Sequence, residues 1–319
     1  MATSGSVSYS RTALQLIEKA FRIIGVKDKN QDLEADEIQD GIEAINFMFK
    51  TWMVTPDMHL WTQEEGVLFT QTGKTDYLIG PSGDHATTLD DFVGTDITTA
   101  AVITATTLVV TSTAGMTAGD QIGIELDDLT RQWTTIVTVD SSTGLTITAA
   151  LTAAAAVGNT IFTYTTISER PLRVSGARRK TYGLNDEIEA REWSRSDYFD
   201  QVGKESQGTI INWYYSPLLT NGRMYTWLTS TGVNKLLRFS FERSIEDVLS
   251  QTNNVDFPVE WYETIVYNLA ARLLDDYDAP LEKASAVIEK AGYLLEAMKG
   301  WDQENVSIRI VLRSGRGRR

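Results

Sequence analysis

Two hydrophobic periods divide this chain. Near its start, Leu14, Ile17, Phe21 and Ile24 recur every three or four residues, the spacing of one helix face. Ser10 or Thr12 can cap that helix, and Gly25 stands where a left-handed C-terminal cap belongs. After a polar turn, a longer helix over about 33–54 shows one stripe of Ile38, Ile42, Ile45, Phe49 and Trp52. Glu34, Asp36 and Glu37 crowd its first turns, where the helix dipole favours negative charge. Thr55-Pro-Asp57 ends it. The helical period returns late in the chain. Asp256-Phe-Pro258 opens a helix with Trp261, Ile265, Leu269 and Leu273 on its face, with proline near the first position. Tyr277-Asp-Ala-Pro280 opens a second, whose face is Leu281, Ala284, Ile288, Ala291, Leu295 and Met298, and Gly300 is expected to end it.

Between these helical stretches the period falls to two. Val67-Leu-Phe69 and Tyr77-Leu-Ile79 read as strands around a Gln-Thr-Gly-Lys turn. Residues 84–166 then change composition abruptly: they are rich in Thr, Ala and Val, and carry nine acids but one basic residue, Arg131. This segment holds a diverged repeat. Leu108-Val-Val-Thr111 followed by Ala118-Gly-Asp-Gln-Ile122 echoes Leu145-Thr-Ile-Thr148 followed by Val157-Gly-Asn-Thr-Ile161. Short β-branched runs broken by glycine turns predict a small barrel or sandwich. Afterwards Arg170-Pro-Leu-Arg-Val-Ser175 and 185–193 look extended, and Ser194-Arg-Ser-Asp-Tyr-Phe199 looks like a capped helical turn. Asn221-Gly222 between two extended runs is a hairpin signal. Leu237, Phe239 and Phe241 alternate with polar residues as a further strand.

The expected fold class is therefore α+β: a helical bundle of two antiparallel helix pairs, an antiparallel β meander packed on it, and an inserted small all-β barrel or sandwich. The expected domains are 1–83 (helix pair and first strands), 84–166 (the insert), 167–302 (meander and second helix pair) and 303–319 (an extended basic arm).

Charge sharpens this picture at one place. The chain has a formal net charge of −14, yet the stretch from Arg309 to Arg319 holds five arginines and no acid. Without those five, the remaining 308 residues balance at −19. Ser307-Ile-Arg-Ile-Val-Leu312 can form a strand, whereas Ser314-Gly-Arg-Gly-Arg-Arg319 cannot pack a core and is expected to order only on a partner. The acidic remainder repels duplex DNA in bulk, so any DNA contact is local or a smooth repulsive passage. No run reaches the roughly 18 apolar residues of a membrane span. The first ten residues lack the features of a signal peptide, and the absence of cysteine excludes disulfides and thiolate chemistry. Synthesis in a reducing cytoplasm is expected.

Candidate chemistry is sparse, and the expectation is that the protein is not an enzyme. His59 and His85 have no metal-ligand spacing, and no phosphate loop or nucleophile elbow occurs. The acid pairs Glu64-Glu65, Asp90-Asp91, Asp127-Asp128 and Asp275-Asp276 read as solvated faces, since a glycosidase needs carboxylates on opposed walls. Asp120 with Glu125, Asp127 and Asp128 lacks calcium-loop spacing and reads as an acidic turn. Trp213-Tyr-Tyr215 with Tyr225 and Trp227 is expected to fill a core or subunit seam rather than form a stacking platform. The second basic concentration is Arg170, Arg173, Arg178, Arg179 and Lys180, a candidate subunit-interface or channel cluster. In so acidic a chain, pairing with acids such as Asp186-Glu187-Glu189 of another copy is favoured.

The order of several short motifs resembles a known family. They are Trp61-Thr-Gln-Glu-Glu65, Arg170-Pro-Leu-Arg-Val174, Ser194-Arg-Ser-Asp-Tyr198, Trp213-Tyr-Tyr-Ser-Pro217 with Gly222-Arg-Met-Tyr-Thr-Trp227, and Phe257-Pro-Val-Glu-Trp261 with Tyr267-Asn-Leu-Ala270. Together they resemble the head-to-tail adaptor proteins of short-tailed double-stranded DNA bacteriophages, also called tail accessory or packaged-DNA-stabilisation proteins. That resemblance implies a virion protein at the head–tail junction, in a ring of twelve copies beneath the portal. Its partners would be the portal ring, other copies of itself, and tail nozzle, tube or fibre proteins. Packaged DNA would pass through without sequence-specific binding, and no cofactor, metal or membrane is implied. The arm would dock on the portal through Ile308, Ile310 and Leu312 or their neighbours Arg309 and Val311, with Arg313, Arg316, Arg318 and Arg319 adding charge-assisted contacts. The competing reading is a tail-associated glycan-binding or cell-wall hydrolase protein.

Overall fold

The computed structural model describes Gly5, residues 9–55, 58, 60–277, 279 and 281–302. The arm residues Ile308, Arg309, Ile310, Val311, Leu312, Arg313, Arg316, Arg318 and Arg319, and also His59, lie outside the described residues. The chain divides into two compact units, one of residues up to Trp61 together with those from Ile245 on, the other Thr62–Ser244.

The helices are α1 (Ala13–Ile24), α2 (Ala35–Trp52), α3 (Arg195–Asp200), α4 (Tyr262–Leu273) and α5 (Leu281–Trp301). All but α3 belong to the first unit. Thr12 caps α1, accepting from the Gln15 N–H, and Gly25 ends it at φ 82° with its N–H on the Phe21 carbonyl. Glu34 and Glu37 form a reciprocal capping box at the start of α2. The apolar stripes meet in one core that includes Ile17, Phe21, Ile45, Phe49, Trp261 and Leu269, although Leu16 rather than Leu14 and Val287 rather than the exposed Ile288 face it. An aromatic knot of Phe49, Trp52, Trp61, Phe257 and Trp261, with ring centroids 4.4–6.2 Å apart, fills its centre. Among the described residues, no helix is long and apolar enough to cross a membrane.

The second unit is built of strands. β1 (Gln63–Phe69), β2 (Asp76–Ile79) and β3 (Ala86–Thr88) come first. Next follow β4 (Val93–Thr99), β5 (Thr107–Val110), β6 (Gln121–Glu125), β7 (Arg131–Val139), β8 (Gly144–Ile147) and β9 (Thr160–Tyr164). Last come β10 (Arg173–Thr181), β11 (Ile188–Glu192), β12 (Gln207–Gly208), β13 (Asn212–Ser216), β14 (Gly222–Trp227), β15 (Thr229–Ser230) and β16 (Lys235–Glu242). Eight of these form one sheet in the order β2-β14-β13-β11-β10-β16-β1-β3, and β4 to β9 close into a barrel in the order β4-β5-β8-β7-β6-β9.

This overturns the expected helical bundle with a small inserted barrel: the protein is mostly β, and the sheet has its own core. Helical stripes stand out in sequence because they are long. The strands are short, and β10 (Arg-Val-Ser-Gly-Ala-Arg-Arg-Lys-Thr) barely alternates. Nor is the sheet an antiparallel meander. β1 pairs with β16 across the whole unit, Gln63 facing Glu242. β11 and β13 run parallel, Arg191 beside Asn212, because the stretch between them contains α3 and returns the chain in the same direction.

The barrel turns the sequence repeat into geometry. Its halves, β4-β5-β6 and β7-β8-β9, follow the same pairing scheme, so a pseudo-twofold relates them. The repeat equivalents Leu108 and Leu145 face each other across β5 and β8, and Gly123 faces Phe162 across β6 and β9. Gly119 and Gly158, at φ 97° and 90°, make the same turn in each half. Each donates its N–H to an isoleucine carbonyl at 2.8 Å, Ile136 for one and Ile97 for the other. Only glycine takes such a backbone without strain. The interior is aliphatic, with Ile97, Leu108, Ile122, Ile136, Leu145 and Ile161 sealed from solvent.

Candidate functional site

The basic cluster read from the sequence is split by the pleat and the register. Arg173 lies opposite Glu242. Arg178 sits between Glu189 on β11 and Arg238 on β16, and Arg238 is neutralised by Glu187 at 3.0 Å. Asp186 accepts the Thr181 N–H at 3.0 Å, a bond that holds its carboxyl below the usual range. Two of the three acids expected to serve another copy, Asp186 and Glu187, are thus engaged within their own chain, and Glu189 lies across the ladder from Arg178. Arg170 lies near the Tyr215 phenol, whose hydroxyl donates to the Pro171 carbonyl. Arg179 and Lys180 stand apart from this ladder. Arg179 donates to the Ile210 carbonyl at 3.0 Å, and Lys180 has neither an ion pair nor a hydrogen bond among the described residues. On β16, Lys235 lies opposite Thr181 and joins them, a neighbour that linear spacing did not reveal.

The four acids of the insert's acidic turn are bonded within the barrel. Asp120 is buried and accepts from the Thr117 N–H, the Thr117 hydroxyl and the Thr165 hydroxyl. Glu125 accepts from Thr160, Asp127 from the Ala156 N–H and Asn159, and Asp128 from Thr130. These carboxylates serve turns and strand ends of the barrel. Among the described residues, no group of three or more His, Asp or Glu side chains could hold a metal ion. Of the aromatic run, Trp213 is a core residue whose Nε1–H donates to the Ala190 carbonyl at 3.0 Å. Tyr214 and Tyr225 stack at 5.7 Å with Tyr198 of α3 against them, and Lys204 lies over Tyr198 and Phe199.

The largest feature that sequence reasoning missed is the seam joining barrel to sheet. Phe69 and Leu236 of the sheet pack on Phe162 and Tyr164 of the barrel. His85 stacks flat on Trp133 at 3.8 Å, and its Nδ1 lies 2.7 Å from the Tyr164 hydroxyl. Burial lowers the His85 pKa to about 4. Arg131, the lone base of the insert, is the rivet. Its guanidinium lies 3.9 Å over the Phe162 ring and donates to the carbonyls of Gly123 and Thr160 in the barrel and of Val233 in the turn that leads into β16 of the sheet. Burial lowers its pKa to about 9. Where the chain passes into and out of the barrel, Asp91 accepts the N–H groups of Thr165 and Thr166 and the Thr87 hydroxyl, stitching the two crossings together. The single arginine in an acidic segment was the available signal.

No family model and no curated protein matches this chain. Among solved structures, VP17, a capsid protein of bacteriophage P23-77, aligns with 63% of this chain and 78% of its own at 10% identity, with a TM-score of 0.12. A TM-score that low establishes no common fold, and nothing is transferred from it.

Proposed function

We propose that this protein is a non-enzymatic structural component of a virion, a head-to-tail adaptor that forms a ring beneath the portal of a short-tailed bacteriophage. The observation that carries the reading is how the chain is routed. Its first and last described segments together build one helical unit, α5 ends at Trp301, and the basic stretch begins soon after in sequence, at Arg309. The whole β unit is a single excursion between Trp61 and Ile245. An acidic protein that carries a concentrated cationic, strand-forming segment on its helical unit suits attachment by strand addition and arginine pairing. The β unit then remains available to tail proteins. The order of short motifs named above supports the same reading, and a strongly negative body suits a channel through which DNA must slide.

The test is binding to purified portal rings, full length against a version ending at Ser307, by analytical ultracentrifugation with electron microscopy of the product. Formation of a stoichiometric ring by the full-length chain alone is the expected result. Equal assembly by the shortened chain would remove the arm from the docking role. Failure of both to bind portal would overturn the adaptor assignment.

A further inference from the structure

The Arg179–Lys180 end of β10 borders a cleft of about 220 Å³. Three cations line it, Arg179, Lys180 and Lys235, against one carboxylate, Asp186, which is already bonded to the Thr181 N–H. The Arg179 guanidinium is held by one bond to the Ile210 carbonyl, so the rest of its donor fork is uncommitted among the described residues. Thr209 lines the same cleft, and the Thr181 side chain joins its N–H in bonding Asp186. The cleft lies where β11 leaves β10, since their pairing ends at Arg179 and Ile188.

From these features we infer that the cleft is a binding site for a phosphate dianion, either free inorganic phosphate or a phosphate monoester. Size points that way, because the volume is below the roughly 300–1,000 Å³ of sites for drug-sized ligands. Charge points the same way. The surplus of two cations matches the −1.5 to −2 of a phosphate monoester near pH 7, whereas a carboxylate or a DNA phosphodiester supplies only about −1. Donor chemistry agrees: the open part of an arginine fork and two ammonium groups, of which Lys235 gives one N–H to the Thr231 hydroxyl at 2.8 Å, are suited to tetrahedral oxygens. The chain carries a net charge of −14, so a site with a surplus of two cations stands out from the average for an approaching anion. The inference does not depend on the adaptor reading.

The experiment is calorimetric titration of the full-length protein at low ionic strength with inorganic phosphate and, separately, with glycerol 3-phosphate. Saturable binding of one phosphate per chain in the millimolar range or tighter is expected. The double variant K180A/K235A should weaken it at least tenfold, while Arg178→Ala, which removes a cation of the neutralised ladder, should leave it within twofold. Circular dichroism of K180A/K235A should match the wild type. If that variant is misfolded, Lys180→Gln alone, which breaks no bond to a described residue, replaces it and should weaken binding about threefold or more. Tighter binding of glycerol 3-phosphate than of phosphate would identify a monoester as the natural ligand, and the reverse would identify the free ion. Absence of saturable binding, equal loss in Arg178→Ala, or stronger competition by a short DNA duplex or a poly-glutamate peptide than by phosphate would overturn the inference.

Discussion

The two halves of the barrel share a backbone plan and differ most plainly along one outward row of side chains. Inside, the equivalents match: Ile97 with Ile136, Leu108 with Leu145 and Ile122 with Ile161 are all buried aliphatics. Outside, across β4, β9, β6 and β7, the row reads Gly94, Phe162, Gly123 and Trp133, each paired with the next. The pseudo-twofold exchanges Gly123 with Phe162 and Gly94 with Trp133, so every glycine has an aromatic counterpart. This row meets the sheet: Phe162 and Trp133 pack at the seam with Phe69, and Tyr182 occupies the space over Gly94. A duplicated unit keeps its interior and loses its symmetry where it must fit a second, asymmetric surface.

Mutations can break that contrast, the strongest at its centre. Phe162→Ala should cost about 4 kcal/mol, the usual loss for a buried phenylalanine. Ile122→Ala and Ile161→Ala, interior equivalents, should cost about 3 kcal/mol each and agree closely with one another. Urea unfolding of the three variants checks both statements, and a cost below about 1 kcal/mol at Phe162 would mean that the seam is not cohesive. Arg131→Met should cost about 3 kcal/mol, since it strips partners from three carbonyls and from Glu125 nearby. It should also split a single unfolding transition into two, barrel and sheet separately, a change visible by calorimetry.

Smaller effects sharpen the comparison. A Cβ at Gly123 would lie 2.8 Å from the Trp133 ring, so Gly123→Ala should cost about 1–3 kcal/mol by crowding the seam. At Gly119 and Gly158 a Cβ meets nothing within 4 Å, and alanine there should cost about 1 kcal/mol at both sites, from backbone conformation alone. Unequal values at that pair would show that the symmetry of the turns is only apparent. The mildest test is acidification. The folded His85 pKa, about 4, lies below the ordinary 6.5, so between those values the unfolded chain takes up a proton that the folded seam refuses. Stability should fall as pH drops through that window. In His85→Gln the slope should flatten, as read from urea midpoints at a series of pH values.

The β character and the repeat of residues 84–166 were readable in sequence because glycine turns and β-branched runs mark the period, whereas closure into a barrel rather than a sandwich was not. The helices were readable for the same reason of length and period, down to Gly25 as the cap. The large sheet was not, because β1 finds β16 only through the folded core and the direction of β13 hangs on a six-residue helix. The seam was hidden for a related reason. Phe69, His85, Trp133 and Tyr164 come from four separate stretches, and no local pattern marks them as neighbours. The basic cluster was legible as composition but not as function, since alternate residues of one strand went to different surroundings, some beside acids and some beside the cleft.

The Arg243 N–H donates to the Thr62 carbonyl at 2.9 Å, so the β unit begins and finishes at one spot. The same holds within it, where Asp91 binds Thr165 and Thr166 and brings the two crossings into the barrel side by side. Each assembly is therefore a cassette with adjoining ends, one nested inside the other. Such a layout lets a lineage gain, lose or trade the inner or the outer piece by a single recombination, with a short turn left to close the gap. Changes of sequence or size in either cassette would then leave the helical unit as it is.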